Sequence, residues 1–145
     1  MTVTFCGNSI VADKERVKTW LQHTIAQLVQ EGANLFYLGG YGDFDSMSAS
    51  VVYDLKPEYP HIESVLVIPY LDRKTIDKRY DYTTYPPLEN VPRKYCISRR
   101  NQWMVDNADV VVAYVLYSGG GSGKTLDYAV RKKKKIIQFE RTGLD

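Results

Sequence analysis

The sequence predicts an α/β fold: a three-layer, doubly wound, Rossmann-like sheet, mainly parallel, of about five strands in the order 3-2-1-4-5. Three observations predict it. Short apolar runs alternate with segments of helical periodicity, the pattern of parallel strands joined by right-handed crossovers. Val65-Leu66-Val67-Ile68 and Val110-Val111-Val112-Ala113 are continuously apolar, as strands buried on both faces are. Glycine-rich or small polar stretches follow several strands, where such sheets hold their ligands.

Residues 2–6 alternate in polarity and leave into Gly7-Asn8-Ser9, a strand ending in a polar turn. Asp13 can cap a helix whose Val17, Trp20, Leu21, Ile25 and Leu28 recur at helical spacing, ended by Gly32. A short strand at 35–38 runs into Gly39-Gly40-Tyr41-Gly42. The next helix starts at about Phe44, with Met47, Val51 and Leu55 on one face, and Pro57 and Pro60 close it. The third strand spans 64–68, before Pro69.

Residues 70–96 break the pattern. Tyr70, Tyr80, Tyr82 and Tyr85, with Pro86-Pro87 and Pro92, describe a long irregular loop, either a ligand-side or interface element or a surface excursion. Tyr82 and Tyr85 are candidates for base or interface contact, because tyrosine joins a stacking face to a polar tip. Beyond the loop the pattern resumes, with a helix over 97–107, a strand over 110–114, a helix over 124–131 and a last strand over 136–139. Lys132 to Lys135 reads as the solvated end of the last helix, where cations complement the helix dipole, with a nucleic-acid patch as the alternative.

With 145 residues, 44% hydrophobic and 25% charged, residues 1–145 suit a single domain with a real core. A formal net charge of +2 makes nucleic acid an unlikely partner on composition alone. No apolar stretch approaches the roughly 20 residues of a membrane span and no signal-peptide pattern opens the chain, so a cytoplasmic protein without a membrane partner is expected. Cys6 and Cys96 lie far apart and make no redox or metal motif, and His23 and His61 stand clear of acidic clusters. Neither a metal nor a resident cofactor is expected.

Ser118-Gly119-Gly120-Gly121-Ser122-Gly123-Lys124-Thr125 follows the strand at 110–114 and opens a helix, the arrangement in which backbone N–H groups receive a phosphate. It is not a Walker A loop, since Ser118 stands where that motif requires glycine. In a 3-2-1-4-5 sheet the winding reverses between the first and fourth strands. Gly7, Asn8 and Ser9 then face the loop of Gly119, Gly120, Gly121, Ser122 and Gly123, with Lys124 and Thr125 behind it and Gly39 and Gly40 alongside. Arg99 and Arg100 could offer bidentate donors to the same phosphate.

The order Arg100, Asn101, Met104, Ala108-Asp109, Gly120-Gly121-Ser122-Gly123 and Asp127 resembles the signature of the Lonely Guy (LOG) phosphoribohydrolases. More broadly the chain resembles the SLOG superfamily, closest to its YpsA-like branch. That branch carries a Gly-Phe-Asp-x-x-Ala pattern similar to Asp43-Phe44-Asp45-Ser46-Met47-Ser48-Ala49, which adds Asp45 and Ser46 to the ligand-binding candidates. Asn101, Lys124 and Asp127 stand where the phosphoribohydrolases have Lys, Thr and Glu. The resemblance implies binding, for sensing or sequestration, of a nucleotide or nucleotide-derived, ADP-ribose-like small molecule. Two alternatives stay open: N-glycosidic hydrolysis of a nucleoside monophosphate, with Arg100 and Asp127 catalytic, and a single-stranded-DNA-binding module. It also implies a homodimer or higher homo-oligomer.

Overall fold

In the computed structural model, residues 1–71, 76–117 and 119–140 are described; Ser118 of the glycine loop and residues 72–75 of the long loop lie outside them. The elements run β1 (Thr2–Gly7), α1 (Lys14–Gln30), β2 (Leu35–Leu38), α2 (Gly42–Leu55), β3 (Glu63–Val67), β4 (Tyr82–Thr84), α3 (Arg93–Asp106), β5 (Val110–Tyr114), α4 (Gly121–Arg131) and β6 (Lys135–Gln138). They form one sheet in the order β4-β3-β2-β1-β5-β6, and every pairing is parallel.

The period-two alternation of the strands divides their side chains between two helical layers. Val3, Phe5, Phe36, Leu38, Val110, Val112 and Tyr114 share a buried cluster with Val17, Leu21, Ile25 and Leu28 of α1 and Phe44, Val51 and Val52 of α2. Their strand neighbours turn the other way. Cys6 and Val111 meet Val105 of α3 and Ala129 of α4, while Val65 and Val67 meet Met104 of α3.

Four boundaries or elements differ from expectation, each for a physical reason. The sheet has a sixth strand, β4, inside the segment expected to be irregular throughout. It is only three residues long and is held by polar contacts that leave no apolar period. Asp81 accepts the Ser64 N–H at 2.8 Å and meets the Lys56 ammonium, and Ser64 Oγ donates to the Arg79 carbonyl at 3.0 Å. Helix α3 starts at Arg93 rather than near 97, because Pro92 serves as its N-cap. Basic Arg93 and Lys94 oppose the helix dipole there and conceal the start. Helix α4 starts at Gly121 rather than Lys124, so its first turn is built largely from glycine, the weakest ordinary helix former. Helix α2 likewise begins earlier, at Gly42.

Asp13 caps α1, its Oδ1 accepting the Arg16 N–H at 3.4 Å. The lysine run is divided: Lys132 pairs with Asp106 at 3.7 Å, Lys134 donates to the Ala108 carbonyl at 2.9 Å, and Lys135 opens β6. Among the described residues, no helix is long and apolar enough to cross a membrane.

Phe44 joins the second helix to the sheet. It is 1% exposed, stacks on Tyr114 with centroids 5.7 Å apart and meets Phe5 edge-on at 6.4 Å. Phe44→Ala should cost about 3–5 kcal/mol, lowering the urea midpoint by roughly 1–3 M. A midpoint within about 0.3 M of wild type would show that the core closes without this ring.

Candidate functional site

Beyond the C-terminal ends of β1 and β5, where the winding reverses, lies a cleft of about 410 Å³. Its floor comes from the end of β1 and its turn, with Cys6, Gly7, Asn8 and Ser9. One wall is the β5–α4 connection and first turn, with Gly119, Gly120, Gly121, Ser122 and Thr125. The other is built from Tyr41 and Asp45 at the start of α2 and from Arg100, Asn101 and Met104 of α3.

Asn8 ties the floor to the glycine wall. It is 2% exposed, its Oδ1 accepts the Leu116 N–H at 2.9 Å and its Nδ2 donates to Ser122 Oγ at 3.2 Å. Its own N–H donates to the Tyr114 carbonyl at 2.9 Å. The Cys6 thiol donates to the Ser122 carbonyl at 3.1 Å. Burial, reinforced by the charge of Asp45, pushes that thiol up to about 12, so it stays protonated.

The glycine wall presents backbone. Gly120 is the N-cap of α4 at φ +89°, a left-handed conformation that side chains disfavour, and among the described residues no side chain caps the helix. The first N–H groups of a helix have no partner within it. Among the described residues, a Cβ built on Gly119, Gly120 or Gly121 would meet nothing within 4 Å beyond its chain neighbours, which leaves the approach to these groups uncrowded.

Arg100 is buried in the middle of α3. Its Nη1 donates to the carbonyls of Gly39 (3.0 Å) and Val67 (2.8 Å), at the ends of β2 and β3, and its Nε donates to Asn101 Oδ1 at 2.8 Å. Asp45 supplies the opposite charge, its Oδ2 accepting the Tyr41 N–H at 3.2 Å. Gly39 lies beneath both groups. A Cβ there would come within 3.1 Å of the guanidinium carbon and 3.2 Å of Asp45 Oδ2, so a bare Cα leaves room for both charged groups. Burial pushes the Asp45 carboxyl up to about 6, against the lowering pull of the Tyr41 N–H and of Arg100.

Of the residues singled out in the sequence, the cleft gathers Gly7, Asn8, Ser9, Asp45, Arg100, Gly119, Gly120, Gly121, Ser122 and Thr125. Gly39 and Gly40 support it from below without lining it. Arg99, Lys124 and Asp127 are solvent-exposed and Gly123 is buried, and none of the four lines the cleft. Ser46 is engaged by Arg79, whose Nη1 donates to its hydroxyl at 3.0 Å. Tyr82 lies on the edge strand and Tyr85 just beyond it, neither in the cleft wall. Asp109, the acidic member of the Ala-Asp pair, stitches β5 to β1, its Oδ2 accepting the Thr2 N–H at 2.8 Å. Tyr41, Tyr117 and Ile97 line the cleft without having been singled out, since no spacing marks an exposed apolar residue on a loop or on the exposed side of a helix. Among the described residues no cluster of His, Cys, Asp and Glu suits a metal.

The Asp45 environment has a measurable signature. The folded protein holds this proton more tightly than the unfolded chain does. The group therefore contributes stability below its ordinary value of 3.8 and loses that contribution as pH rises to about 6. Asp45→Asn should remove this part of the pH dependence, so that urea midpoints of wild type fall relative to the variant across that window. A pH-independent difference would mean that Asp45 titrates normally.

No protein-family model matches the chain. A UPF0398 protein of Lysinibacillus sphaericus is 23% identical over 134 residues, covering 84% of this chain and 73% of its own length. Among solved structures, DNA processing protein A of Helicobacter pylori, described for its single-stranded DNA binding, superposes with a TM-score of 0.68 at 16% identity. That match covers 99% of this chain and 66% of the other. The molybdenum cofactor carrier protein of Chlamydomonas reinhardtii gives a TM-score of 0.64 at 14% identity over 94% of this chain and 75% of its own. In sequence the chain resembles the YpsA-like UPF0398 proteins, and in fold it resembles DNA processing protein A and the molybdenum cofactor carrier protein.

Proposed function

We propose that this chain binds a nucleotide or a nucleotide-derived small molecule, ADP-ribose-like compounds included, with a phosphate at the N-terminus of α4. The observation that carries the reading is the glycine wall: a helix start that no side chain of the described residues caps, opening onto a concave cleft at the reversal of strand winding. Helix N-termini favour anions through their N–H groups and dipole, and open α/β sheets take ligands at this position. The volume of about 410 Å³ falls in the range of small-molecule pockets. A carrier of the molybdenum cofactor and a single-stranded-DNA-binding protein share the fold, which is consistent with a binding module.

Two observations favour a small ligand, bound without glycosidic chemistry. Asp127, the carboxylate that a LOG-like hydrolase would bring to the sugar, is exposed on α4 and does not line the cleft. The basic run Lys132–Lys135 lies where β6 begins, at the end of the sheet opposite the cleft, and so builds no track for a polynucleotide beside it.

Gly121→Val should leave the fold intact, because its Cβ meets nothing, while filling the approach to the α4 N–H groups. Calorimetry with a panel of nucleoside mono- and diphosphates should then show at least tenfold weaker binding (about 1.4 kcal/mol). Unchanged affinity in the folded variant would move the ligand elsewhere. Incubation with nucleoside monophosphates should release no free base, and base release that depends on Asp127 or Arg100 would make the protein a hydrolase. Assembly as a homodimer or higher homo-oligomer is a separate proposal, which light scattering at the monomer mass would overturn.

A further inference from the structure

Large apolar side chains left in water need a reason when several gather at one rim. Tyr41 is 70% exposed, Tyr117 57% and Ile97 49%, and all three line the cleft. They come from three different elements. Tyr41 precedes α2, Tyr117 follows β5, and Ile97 lies on α3.

Residues of the cleft itself hydrogen-bond the backbone at Tyr41 and immediately before Tyr117. The Tyr41 N–H donates to Asp45, and Tyr41 stands in extended conformation (φ −133°, ψ 127°) between Gly40 and Gly42, both at positive φ. The N–H of Leu116, immediately before Tyr117, donates to the Asn8 carboxamide. Each tyrosine thus stands at the mouth on or beside main chain that the cleft's own residues hydrogen-bond, and each stays more than half exposed. Aromatic rings on fixed backbone lose little entropy when a flat partner stacks on them.

We infer that Tyr41 and Tyr117, with Ile97 beside them, form an aromatic clamp that takes the planar heterocyclic base of the ligand. The inference rests on the phosphate reading above and extends it. The α4 N-terminus takes the anionic end and the clamp takes the base, in a cleft that Asp45 and Arg100 also line. A sugar phosphate without a base would use only the first of these. A concave mouth on a pocket of small-molecule size suits one flat ring better than the broad surface of a second chain.

The test compares AMP, GMP, CMP and UMP with ribose 5-phosphate by calorimetry on the wild-type protein and on Tyr41→Ala, Tyr117→Ala, Tyr41→Phe and Tyr117→Phe. Tyr53→Ala, an exposed tyrosine of α2 outside the cleft, is the control. Wild type should bind at least one nucleotide roughly tenfold or more tighter than ribose 5-phosphate. Each alanine variant should weaken that nucleotide about five- to fiftyfold, by the loss of base–aromatic stacking. It should leave ribose 5-phosphate within about twofold of wild type, as the control should leave every ligand. The phenylalanine variants keep the ring face and should keep the preference.

Equal binding of nucleotides and ribose 5-phosphate by wild type overturns the clamp while leaving the phosphate site standing. Equal weakening of both ligand classes by the alanine variants overturns it too, as does an effect on self-association alone by light scattering, which would give the rim to a second copy. Absence of binding to every compound overturns the phosphate reading and the clamp with it.

Discussion

Strand β1 is hydrogen-bonded on both sides to strands that the chain reaches by different routes. It meets β2 after a single helix, but β5 only after three further strands and three helices. Right-handed crossovers then place α1 and α2 on one face and α3 and α4 on the other. The connections leaving β1 and β5 diverge to opposite faces, and the space between them has no element to fill it. The cleft is a product of topology before any side chain is considered, and its lining consists of what those two turns and the neighbouring helix starts carry.

Charge within that space is arranged economically. A buried guanidinium is tolerable only when its donors are used and its charge is answered. Arg100 meets the first condition with strand-end carbonyls and a neighbouring carboxamide, and the second with Asp45. The arrangement also couples the two helical layers, since Arg100 belongs to α3 and Asp45 to α2, and the two act on each other electrostatically beside Gly39 at the end of β2. The pair therefore orders the cleft wall as well as charging it.

The central strands were legible because continuous apolar runs such as 110–113 leave few alternatives to double-sided burial. Helix α1 was legible down to its Asp13 cap. Strand β4 was not, because three residues held through Asp81, Ser64 and Arg79 carry no period, and the start of α4 was hidden because glycine reads as loop. In the site, small residues after strands located the floor and the glycine wall, since close backbone approach restricts residue type strongly. Gly39 did something else, since its missing side chain makes room for a charged pair. Tyr41 and Tyr117 went unmarked, because a side chain placed at a mouth by loop geometry has no sequence period.

Strand β4 also bears on how copies of the protein behave at high concentration. An open sheet of parallel strands offers a row of unpaired N–H and C=O groups at each edge, on which another chain can add a strand and start aggregation. At one edge the row is only three residues long and ends where Asp81 and Lys56 place opposite charges. At the other, β6 begins with an exposed Lys135 that meets Glu31 at 3.9 Å and ends with an exposed Gln138. Short length at one margin and charge at both oppose strand addition, so the all-parallel sheet stays finite without closing into a barrel.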